Sequence, residues 1–241
     1  MTLNFYQQDY CLLCDDEMTP TISWNYFFID QEKKYVCEKC ERKLEKLAEP
    51  TCNICSRSLI NLDEKFKREN TCYDCIRWEN SLEWQGTLTK NFSLFTYNEF
   101  LAEVIALFKY RGDYEIAKIF SKRIRTILET LAFDYVVPIP LSEERLQERG
   151  FNQAEALATA ANIETTALLT RIHSEKQSKK SRQERISLPQ VFSLQKACDL
   201  EGKMIVLLDD IYTTGSTLRQ AAKLLKQRGA GKVFSITIGR G

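Results

Sequence analysis

One stretch of the chain combines the features that decide its fold, Met204-Ile205-Val206-Leu207-Leu208-Asp209-Asp210-Ile211-Tyr212-Thr213-Thr214-Gly215-Ser216-Thr217. Its apolar half is short, partly β-branched and stops at two acids, which predicts a central parallel strand ending at a ligand-facing edge. The hydroxyl-rich half leads into a helix beginning near Thr217, whose free backbone N–H groups favour an anion. Gly215 lets the backbone approach that anion closely. The stretch therefore predicts an α/β fold with a phosphate site at one edge of its sheet.

The same stretch resembles the phosphoribosyl pyrophosphate (PRPP) motif of type I phosphoribosyltransferases, in which apolar residues, two acids and Thr-Thr-Gly-Ser-Thr follow one another. The resemblance implies the fold of that superfamily, an α/β parallel sheet flanked by helices. It also implies that Asp209 and Asp210 contact the ribose hydroxyls as the catalytic acids. The residues that it assigns to the 5′-phosphate are Thr213, Thr214, Gly215, Ser216 and Thr217. The alternative is a strand that merely ends in solvated acids before a helix cap.

Length and composition are those of an ordinary globular chain. The 241 residues are 44% hydrophobic, enough for one large or two modest domains without disulfides. No apolar run approaches the ~18 residues that span a bilayer, and residues 1–9 lack the basic start and apolar core of a signal peptide. We therefore expect a cytoplasmic protein without membrane insertion.

Charge and glycine divide the chain near residue 85. Residues 1–85 carry 11 Lys/Arg and 16 Asp/Glu, a net charge of −5, whereas residues 86–241 carry 23 and 17, a net charge of +6. All nine glycines lie at Gly86 or later. The sequence predicts two domains, a cysteine-rich zinc-binding module at 1–85 and a phosphoribosyltransferase-like domain at 86–241.

Eight of the nine cysteines form four Cys-x-x-Cys pairs. The spacings within the first two and the last two pairs, 22 and 16 residues, lie near those of zinc sites in which two pairs supply four thiolates. The only histidine, His173, is distant, so each site would be all-cysteine. We predict one or two structural Zn²⁺ sites, with consecutive or interleaved pairing of the motifs. The predicted ligands are Cys11, Cys14, Cys37, Cys40, Cys52, Cys55, Cys72 and Cys75.

Other uses of these cysteines are weaker alternatives. A disulfide framework conflicts with a reducing compartment, and four pairs are too many for one redox centre. An iron–sulfur cluster takes the same ligands and stays an alternative by ligand type. None of the pairs is followed by the glycine that commonly eases the turn around the metal. The residues that stand there are Asp15, Glu41, Ser56 and Ile76. This departure predicts less regular turns, or one degraded site.

The acidic character of residues 1–85 bears on the partner of this module. Each ion held by four thiolates adds about two further negative charges, which disfavours phosphate or nucleic acid. Docking on the basic second domain or on a protein partner fits the charge better. Glu41–Ala48 predicts a short amphipathic helix that ends before Pro50. We expect Trp78 and Trp84 to have a core or interface role.

The second domain opens with a strand at Phe92–Tyr97, followed by helices at Glu99–Tyr110 and about 114–131. A second buried strand, Tyr135–Pro140, is ended by proline, and an Ala-rich helix runs to about Ala161. Here the chain resembles the ComF family of competence proteins. The resemblance is carried by Phe108–Asp113, Val136–Pro140, Arg145, Arg149, Gly150, Phe151, Asn152 and Gln153.

In related phosphoribosyltransferases the loop after this second strand binds pyrophosphate. The resemblance assigns that role to Pro140, Leu141 and Ser142, with Arg145 and Arg149 nearby. A planar guanidinium suits the task because it can meet two phosphate oxygens. The alternative for the two arginines is a solvated helix face on which Glu144 and Glu148 are their partners.

Residues 171–185 carry six basic and two acidic side chains with little apolar content, a pattern typical of a solvated loop. Because the loop lies between strands at 167–171 and 191–194, it resembles the flexible lid that closes over PRPP in this superfamily. In the ComF pattern the matching positions are Gln177, Arg182 and Arg185. The same loop offers single-stranded DNA a weak electrostatic contact, with little aromatic surface for stacking.

The ComF resemblance implies a role in the internalisation of single-stranded DNA during natural transformation, together with a competence helicase of the ComFA type and recruitment to the membrane uptake complex. No segment marks a nucleobase pocket, so the motif specifies a ligand better than it specifies turnover. The alternative is a metabolic phosphoribosyltransferase that transfers phosphoribose from Mg²⁺-bound PRPP to a base or amine. His173 and Cys198 are expected to be a loop residue and a plain thiol.

Overall fold

The computed structural model describes residues 9–18, 33–172, 191–195 and 199–241. In the cysteine-rich segment the elements are short: β1 (Asp9–Tyr10), β2 (Glu17–Met18), α1 (Glu38–Lys43), β3 (Lys67–Arg68), β4 (Thr71–Cys72) and α2 (Tyr73–Glu79). The larger elements that follow are β5 (Lys90–Thr96), α3 (Glu99–Tyr110), α4 (Ala117–Glu129), β6 (Tyr135–Pro138), α5 (Glu143–Arg149), α6 (Gln153–Ala160), β7 (Leu169–Arg171), β8 (Phe192–Leu194), β9 (Met204–Tyr212), α7 (Ser216–Lys226) and β10 (Lys232–Arg240).

The helix predicted at Glu41–Ala48 begins and ends earlier than its apolar pattern indicated. In the structure α1 starts directly after Cys37, which stands at its N-cap, and the chain leaves helical geometry at Leu44. The helix α2 begins in the same way, directly after Cys72. Each helix thus begins with one Cys-x-x-Cys pair, whose first cysteine stands at the N-cap without a side-chain capping bond and whose second lies on the helix.

The central sheet is fully parallel, with strand order β5, β10, β9, β6. The predicted central position of β9 is confirmed. The strand is longer than its apolar run, however, because it pairs with β10 as far as Tyr212 opposite Arg240. Asp209 and Asp210 therefore lie within the strand, near its carboxyl end, rather than after it.

Local signals explain the flanking helices. The side chain of Asn98 caps the N-terminus of α3, because its Oδ1 accepts a hydrogen bond from the backbone N–H of Leu101 at 2.9 Å. The buried side chains of α3 recur at helical spacing, as predicted: Leu101, Val104, Ile105 and Phe108. The strand predicted to end at Pro140 ends at Pro138, and the helix predicted at 114–131 begins as a 3₁₀ turn at Tyr114–Ile116.

The two faces of the sheet bury different partners. On one face, α3, α4 and α6 pack over Val206, Leu208 and Ile236. On the other face, α7 and the cysteines from Cys52 onward share a core with Ile205 and Leu207. The cysteine-rich segment thus contributes directly to the core of the sheet domain.

The strands predicted on either side of the basic loop do not join the central sheet. They are the short strands β7 and β8, which pair with each other antiparallel, Leu169 opposite Leu194. Residues 173–190, which separate the two strands in the sequence, lie outside the described residues. Within the described ranges no helix has both the length and the apolar character needed to cross a bilayer.

Candidate phosphate and metal sites

Residues 213–217, which we call the phosphate loop, run from the end of β9 into the first turn of α7 at the carboxyl edge of the sheet. Gly215 is the N-cap of α7 and has a φ of +80°, in the left-handed region that glycine adopts readily. The first turn of a helix leaves backbone N–H groups without intrahelical acceptors, and a phosphate can take these bonds. The Thr214 hydroxyl oxygen accepts from the N–H of Ser216 at 3.3 Å and so holds the turn.

The two acids stand beside this loop in different environments. The Asp210 carboxylate pairs with Lys109, with 2.5 Å between Oδ2 and Nζ, and both side chains are largely buried. Asp209 accepts a hydrogen bond from the backbone N–H of Asp210 at 2.9 Å. Burial and the neighbouring charge of Asp210 raise the pKa of Asp209 to about 7, against the opposing effects of Lys109 and Arg171. The pair therefore offers one carboxylate held in an ion pair with Lys109 and one that titrates near neutrality.

The raised pKa of Asp209 makes its effect on stability depend on pH. A carboxyl group whose pKa is higher in the folded than in the unfolded protein destabilises the fold increasingly as pH rises toward the folded pKa. We expect Asp209→Asn to raise the free energy of unfolding, and its advantage over wild type to widen by about 1 kcal/mol between pH 6 and pH 8.5. Urea unfolding of both proteins at the two pH values measures this. An advantage independent of pH would contradict the assignment.

Basic side chains gather at the same edge of the sheet. Burial, with the positive charges of Arg145 and Arg149, lowers the pKa of Arg171, and Asp209 opposes this shift. The Nε of Arg149 is buried and has no hydrogen-bond partner among the described residues. The helix α5 has no buried residue, as the solvated-face alternative predicts, but Arg149 donates to Gln153 rather than to Glu144 or Glu148. Such a group of cations favours an anionic ligand.

Two members of the basic group, Lys109 and Arg171, were not among the residues predicted from sequence. Lys109 lies inside the segment Phe108–Asp113 that carried the ComF resemblance, so a signal for it existed. Arg171 is the first basic residue of the predicted lid and the last residue of β7, as the predicted strand at 167–171 indicated. The lid positions Gln177, Arg182 and Arg185, with His173 and Cys198, lie outside the described residues.

The loop after β6 is fixed by capping interactions. Ser142 is the N-cap of α5, and its hydroxyl oxygen accepts from the N–H of Arg145 at 3.3 Å. Asn152 caps α6 in the same way and also donates through Nδ2 to the carbonyl oxygen of Ile139 at 3.1 Å. The structure thus places Pro140, Leu141 and Ser142, all partly buried, between β6 and the basic group.

The remaining ComF signature residues support this loop. The Gln153 side chain accepts from Arg149 Nη1 at 3.0 Å and donates to the carbonyl oxygen of Phe108 at 3.4 Å. The ring of Phe151 packs against those of Phe108 and Tyr114, with centroids 5.6 and 5.1 Å apart. These contacts join α3 to the loop and orient Arg149.

The eight cysteines form two groups of four, each with its sulfur atoms within 4.8 Å of one another. The first cysteine cluster is Cys11, Cys14, Cys37 and Cys40, and the second cysteine cluster is Cys52, Cys55, Cys72 and Cys75. Pairing is therefore consecutive, and the interleaved alternative is wrong. The second cluster is wholly buried, whereas the first includes the exposed Cys14.

The spacing of the sulfur atoms fits a tetrahedral metal ion. The Sγ atoms of Cys14 and Cys37 are 3.7 Å apart, and those of Cys55 and Cys72 are 3.6 Å apart. Metal–sulfur bonds of about 2.3 Å in tetrahedral geometry place sulfurs about 3.8 Å apart, whereas a disulfide requires about 2.05 Å. All eight cysteines are free thiols in this structure, so the disulfide alternative does not hold here.

The glycine missing after the cysteine pairs is replaced by residues that accept its conformation. Asp15 and Ser56, which follow the first pair of each cluster, have φ values of 56° and 59°. The Ser56 hydroxyl also donates to the backbone carbonyl oxygen of Asn91 at 2.6 Å. Both clusters are complete, so the prediction of a degraded site is wrong.

The second cysteine cluster is docked on the sheet domain by backbone and side-chain bonds. The N–H of Asn91 donates to the carbonyl oxygen of Ile54 at 2.7 Å. The ion pairs Arg219–Glu79 and Lys223–Glu83, at 2.9 and 2.6 Å, link α7 to residues after the cluster. The predicted interface role of Trp78 and Trp84 is confirmed, because both rings lie against cationic side chains of α7.

Comparison with known proteins agrees with this geometry. A family model described as the phosphoribosyl transferase domain matches residues 115–240. Over 95% of its length the chain is 37% identical to the Competence protein ComFC of Bacillus subtilis, covering 93% of that relative. The ComFC of Streptococcus pneumoniae is 29% identical over 95% of the chain and 99% of the relative. The DNA utilization protein YhgH of Escherichia coli K12 is 28% identical over 82% of the chain and 87% of the relative. The chain belongs to the ComF family of competence proteins and contains a phosphoribosyltransferase domain.

Proposed function

We propose that this protein supports the internalisation of single-stranded DNA in natural transformation and that its phosphoribosyltransferase-type pocket binds PRPP or a related phosphorylated ribose. The observation that carries the proposal is the convergence of the phosphate loop, the Asp209–Asp210 pair and the basic group at one edge of the sheet. The support for the cellular role is the match, over nearly the whole chain, to relatives named competence proteins.

The ligand follows from the chemistry of the edge. The phosphate loop takes the 5′-phosphate through backbone N–H groups and hydroxyls. Asp209 and Asp210 hold the ribose hydroxyls, and Lys109 leaves Asp210 to meet the ligand. Pro140, Leu141 and Ser142 face the pyrophosphate, whose charge is balanced by Arg145, Arg149 and Arg171. Mg²⁺ supplies further neutralisation of the pyrophosphate when PRPP binds.

Zinc is the ion that suits the two cysteine clusters. Four thiolates form a soft donor set, and closed tetrahedral sites of this kind are structural rather than catalytic. Each cluster supplies four cysteine ligands, which leaves no coordination position for a substrate. We therefore assign two structural Zn²⁺ ions to the chain.

The partners that we propose follow from the charge of the cysteine-rich segment and from membership of the ComF family. The acidic cysteine-rich segment is suited to docking on protein, and a competence helicase of the ComFA type is the partner implied by the ComF family. Single-stranded DNA is held weakly, through the basic residues 171–185. The protein acts in the cytoplasm and is recruited to the membrane uptake complex.

A metabolic phosphoribosyltransferase is the second candidate, favoured by the completeness of the PRPP side of the pocket. In that reaction an acceptor base or amine displaces pyrophosphate from the ribose anomeric carbon. Asp209 and Asp210 would orient the ribose in both cases, so phosphate binding does not separate the two functions. Release of pyrophosphate with a defined acceptor does.

The test replaces both acids in the native chromosome. We expect an Asp209→Asn/Asp210→Asn strain to lose transformation by about 100-fold, because the ribose contacts disappear while the fold is kept. The matched control is Glu129→Gln, an exposed acid near the end of α4. Transformation is scored with a chromosomal marker, and protein level by immunoblot.

Two outcomes of this test would contradict the proposal. Normal transformation in the double-variant strain, at wild-type protein level, would show that the pocket does not serve uptake. Steady pyrophosphate release from PRPP by the purified protein with one member of a panel of bases and amines would favour the metabolic function.

A further inference from the structure

The carbonyl oxygens of Tyr212, Thr213 and Thr214 accept hydrogen bonds from two side chains associated with the second cysteine cluster. Arg240 contacts Cys55, and the other donor lies on α2, the helix that carries Cys75. Arg240 Nη1 donates to the carbonyl oxygens of Tyr212 and Thr213 at 3.1 and 3.0 Å. The indole Nε1–H of Trp78 donates to the carbonyl oxygen of Thr214 at 3.1 Å. In a planar trans peptide the C=O and the following N–H point in opposite directions. The N–H groups of residues 213–215 are therefore directed away from the cysteine cluster, as donors to a phosphate must be.

Arg240 depends on the cluster for its own charge balance. Its side chain is almost fully buried, with residue exposure of 4%, and its Nη2 donates to Cys55 Sγ at 3.4 Å. Its guanidinium lies 4.9 Å from the ring centroid of Tyr212, and no carboxylate is within ion-pair distance among the described residues. A buried charge without a counter-charge is strongly destabilising. Four thiolates around a divalent cation supply a formal charge of −2, so the metal-loaded cluster is the counter-ion of Arg240.

Trp78 is positioned by the same cluster. It follows Cys75 by three residues on α2, so both side chains lie on one face of that helix. Its ring is covered by the guanidinium of Arg219, 5.3 Å from the centroid, and the fully buried Arg219 pairs with Glu79 at 2.9 Å. The backbone N–H of Arg219 donates to the carbonyl oxygen of Gly215. The fourth metal ligand, the indole donor and the first turn of α7 thus form one connected unit.

We propose that metal binding at the second cysteine cluster and phosphate binding at the phosphate loop are coupled through Arg240 and Trp78, which act as positioning residues. The inference rests on the proposed function in that a phosphorylated ribose is the ligand. When the cluster holds its ion, Arg240 is neutralised and the three carbonyls are fixed. When the ion is absent, the four cysteines are no longer held around one centre, so Arg240 loses its fixed sulfur partner at Cys55 and the loop loses its orientation. Because such coupling is reciprocal, the phosphate ligand must also retain the metal.

The test measures zinc loss from the full-length, zinc-loaded protein to a chelating dye, with and without saturating ribose 5-phosphate. Two phases are expected, a fast one from the first cluster, which includes an exposed ligand, and a slow one from the buried second cluster. The ligand should slow the second phase about tenfold and leave the first unchanged. Calorimetry on the same sample measures the affinity for ribose 5-phosphate.

Two variants assign the effect, each with a matched control. Trp78→Phe removes the indole donor but keeps an aromatic ring, and Arg240→Gln removes the charge. Both should lower the ligand affinity and reduce the protection of the slow phase, with two zinc ions still bound per chain. Trp84→Phe, which has no bond to the loop, and Arg228→Gln, at an exposed position after α7, should behave as wild type. If Arg240→Gln does not fold, Trp78→Phe and the wild-type measurement still decide.

The outcomes separate this inference from the proposed function. No binding of ribose 5-phosphate or PRPP by the wild-type protein would overturn both. Binding with no change in the slow phase, or with equal slowing of both phases, would overturn the coupling alone. If ribose 5-phosphate slows the second phase of zinc loss as much in Trp78→Phe and Arg240→Gln as in the wild-type protein, the role of these two residues is overturned.

Discussion

Replacing Gly215 by alanine is expected to weaken the binding of PRPP by about 100-fold and to lower the free energy of unfolding by about 1–3 kcal/mol. The glycine has a φ of +80°, which is strained for any residue with a Cβ. A Cβ at this position would also overlap the phenol ring of Tyr212, which is buried and cannot move away freely. Relief of that overlap has to displace the phosphate loop.

A second glycine can be used to separate the effect of backbone strain from the effect of the overlap with Tyr212. Gly202 has a φ of +68°, but a Cβ added there would meet no atom within 4 Å. Gly202→Ala should therefore show the backbone strain alone, a loss of stability with unchanged affinity for PRPP. Calorimetric titration and urea unfolding of both variants provide the measurements. Wild-type affinity in Gly215→Ala would mean that the loop does not bind the phosphate in the geometry described.

Replacing Cys55 by serine is expected to lower the Tm by about 10 °C or more, whereas Cys14→Ser should lower it by less than about half of that. Cys55 is fully buried in the core that the second cluster shares with α7 and β9, and it also accepts from Arg240. Cys14 is exposed and belongs to the first cluster. Loss of the second ion therefore removes part of the core of the sheet domain, while loss of the first loosens a peripheral unit.

Metal analysis makes this comparison interpretable. Each serine variant should retain one zinc ion per chain instead of two, and differential scanning calorimetry records the Tm. Equal decreases in Tm for Cys14→Ser and Cys55→Ser would contradict the distinct structural role of the second cluster. Retention of two ions by Cys55→Ser would contradict its assignment as a ligand.

Local patterns in the sequence were enough to predict the main elements of the sheet domain. The helix at Glu99–Tyr110 has the bounds that its apolar spacing indicated, because its burial is regular and Asn98 caps it. The extent of β9 could not be read in this way. Its pairing with β10 carries it past the apolar run to Tyr212, and that pairing depends on a segment twenty residues further along the chain.

In the cysteine-rich segment, too, local sequence predicted some features and the tertiary structure decided others. The four Cys-x-x-Cys pairs predicted one or two metal sites, since the spacing of thiolates along a chain is itself a metal-binding signal. Which pairs combine is a question of distance in space, and the structure answered it with two consecutive clusters. The apolar pattern misplaced the helix after Cys37 because ligand geometry, rather than amphipathic burial, sets where that helix begins.

The sequence by itself predicted the ligand chemistry of the PRPP-like stretch, because acids, hydroxyls and glycine in that order suit only a narrow range of sites. Only the tertiary structure decided how the stretch is held. Arg240 and Trp78 lie 27 residues after and 136 residues before the loop carbonyls that they bind. Trp78 was predicted to have a core or interface role, but no local pattern indicates that either residue binds the loop, because hydrogen bonds between distant segments exist only after the sheet and the cysteine clusters have packed together. The phosphate site that we propose is therefore encoded in one segment and held by hydrogen bonds from two others.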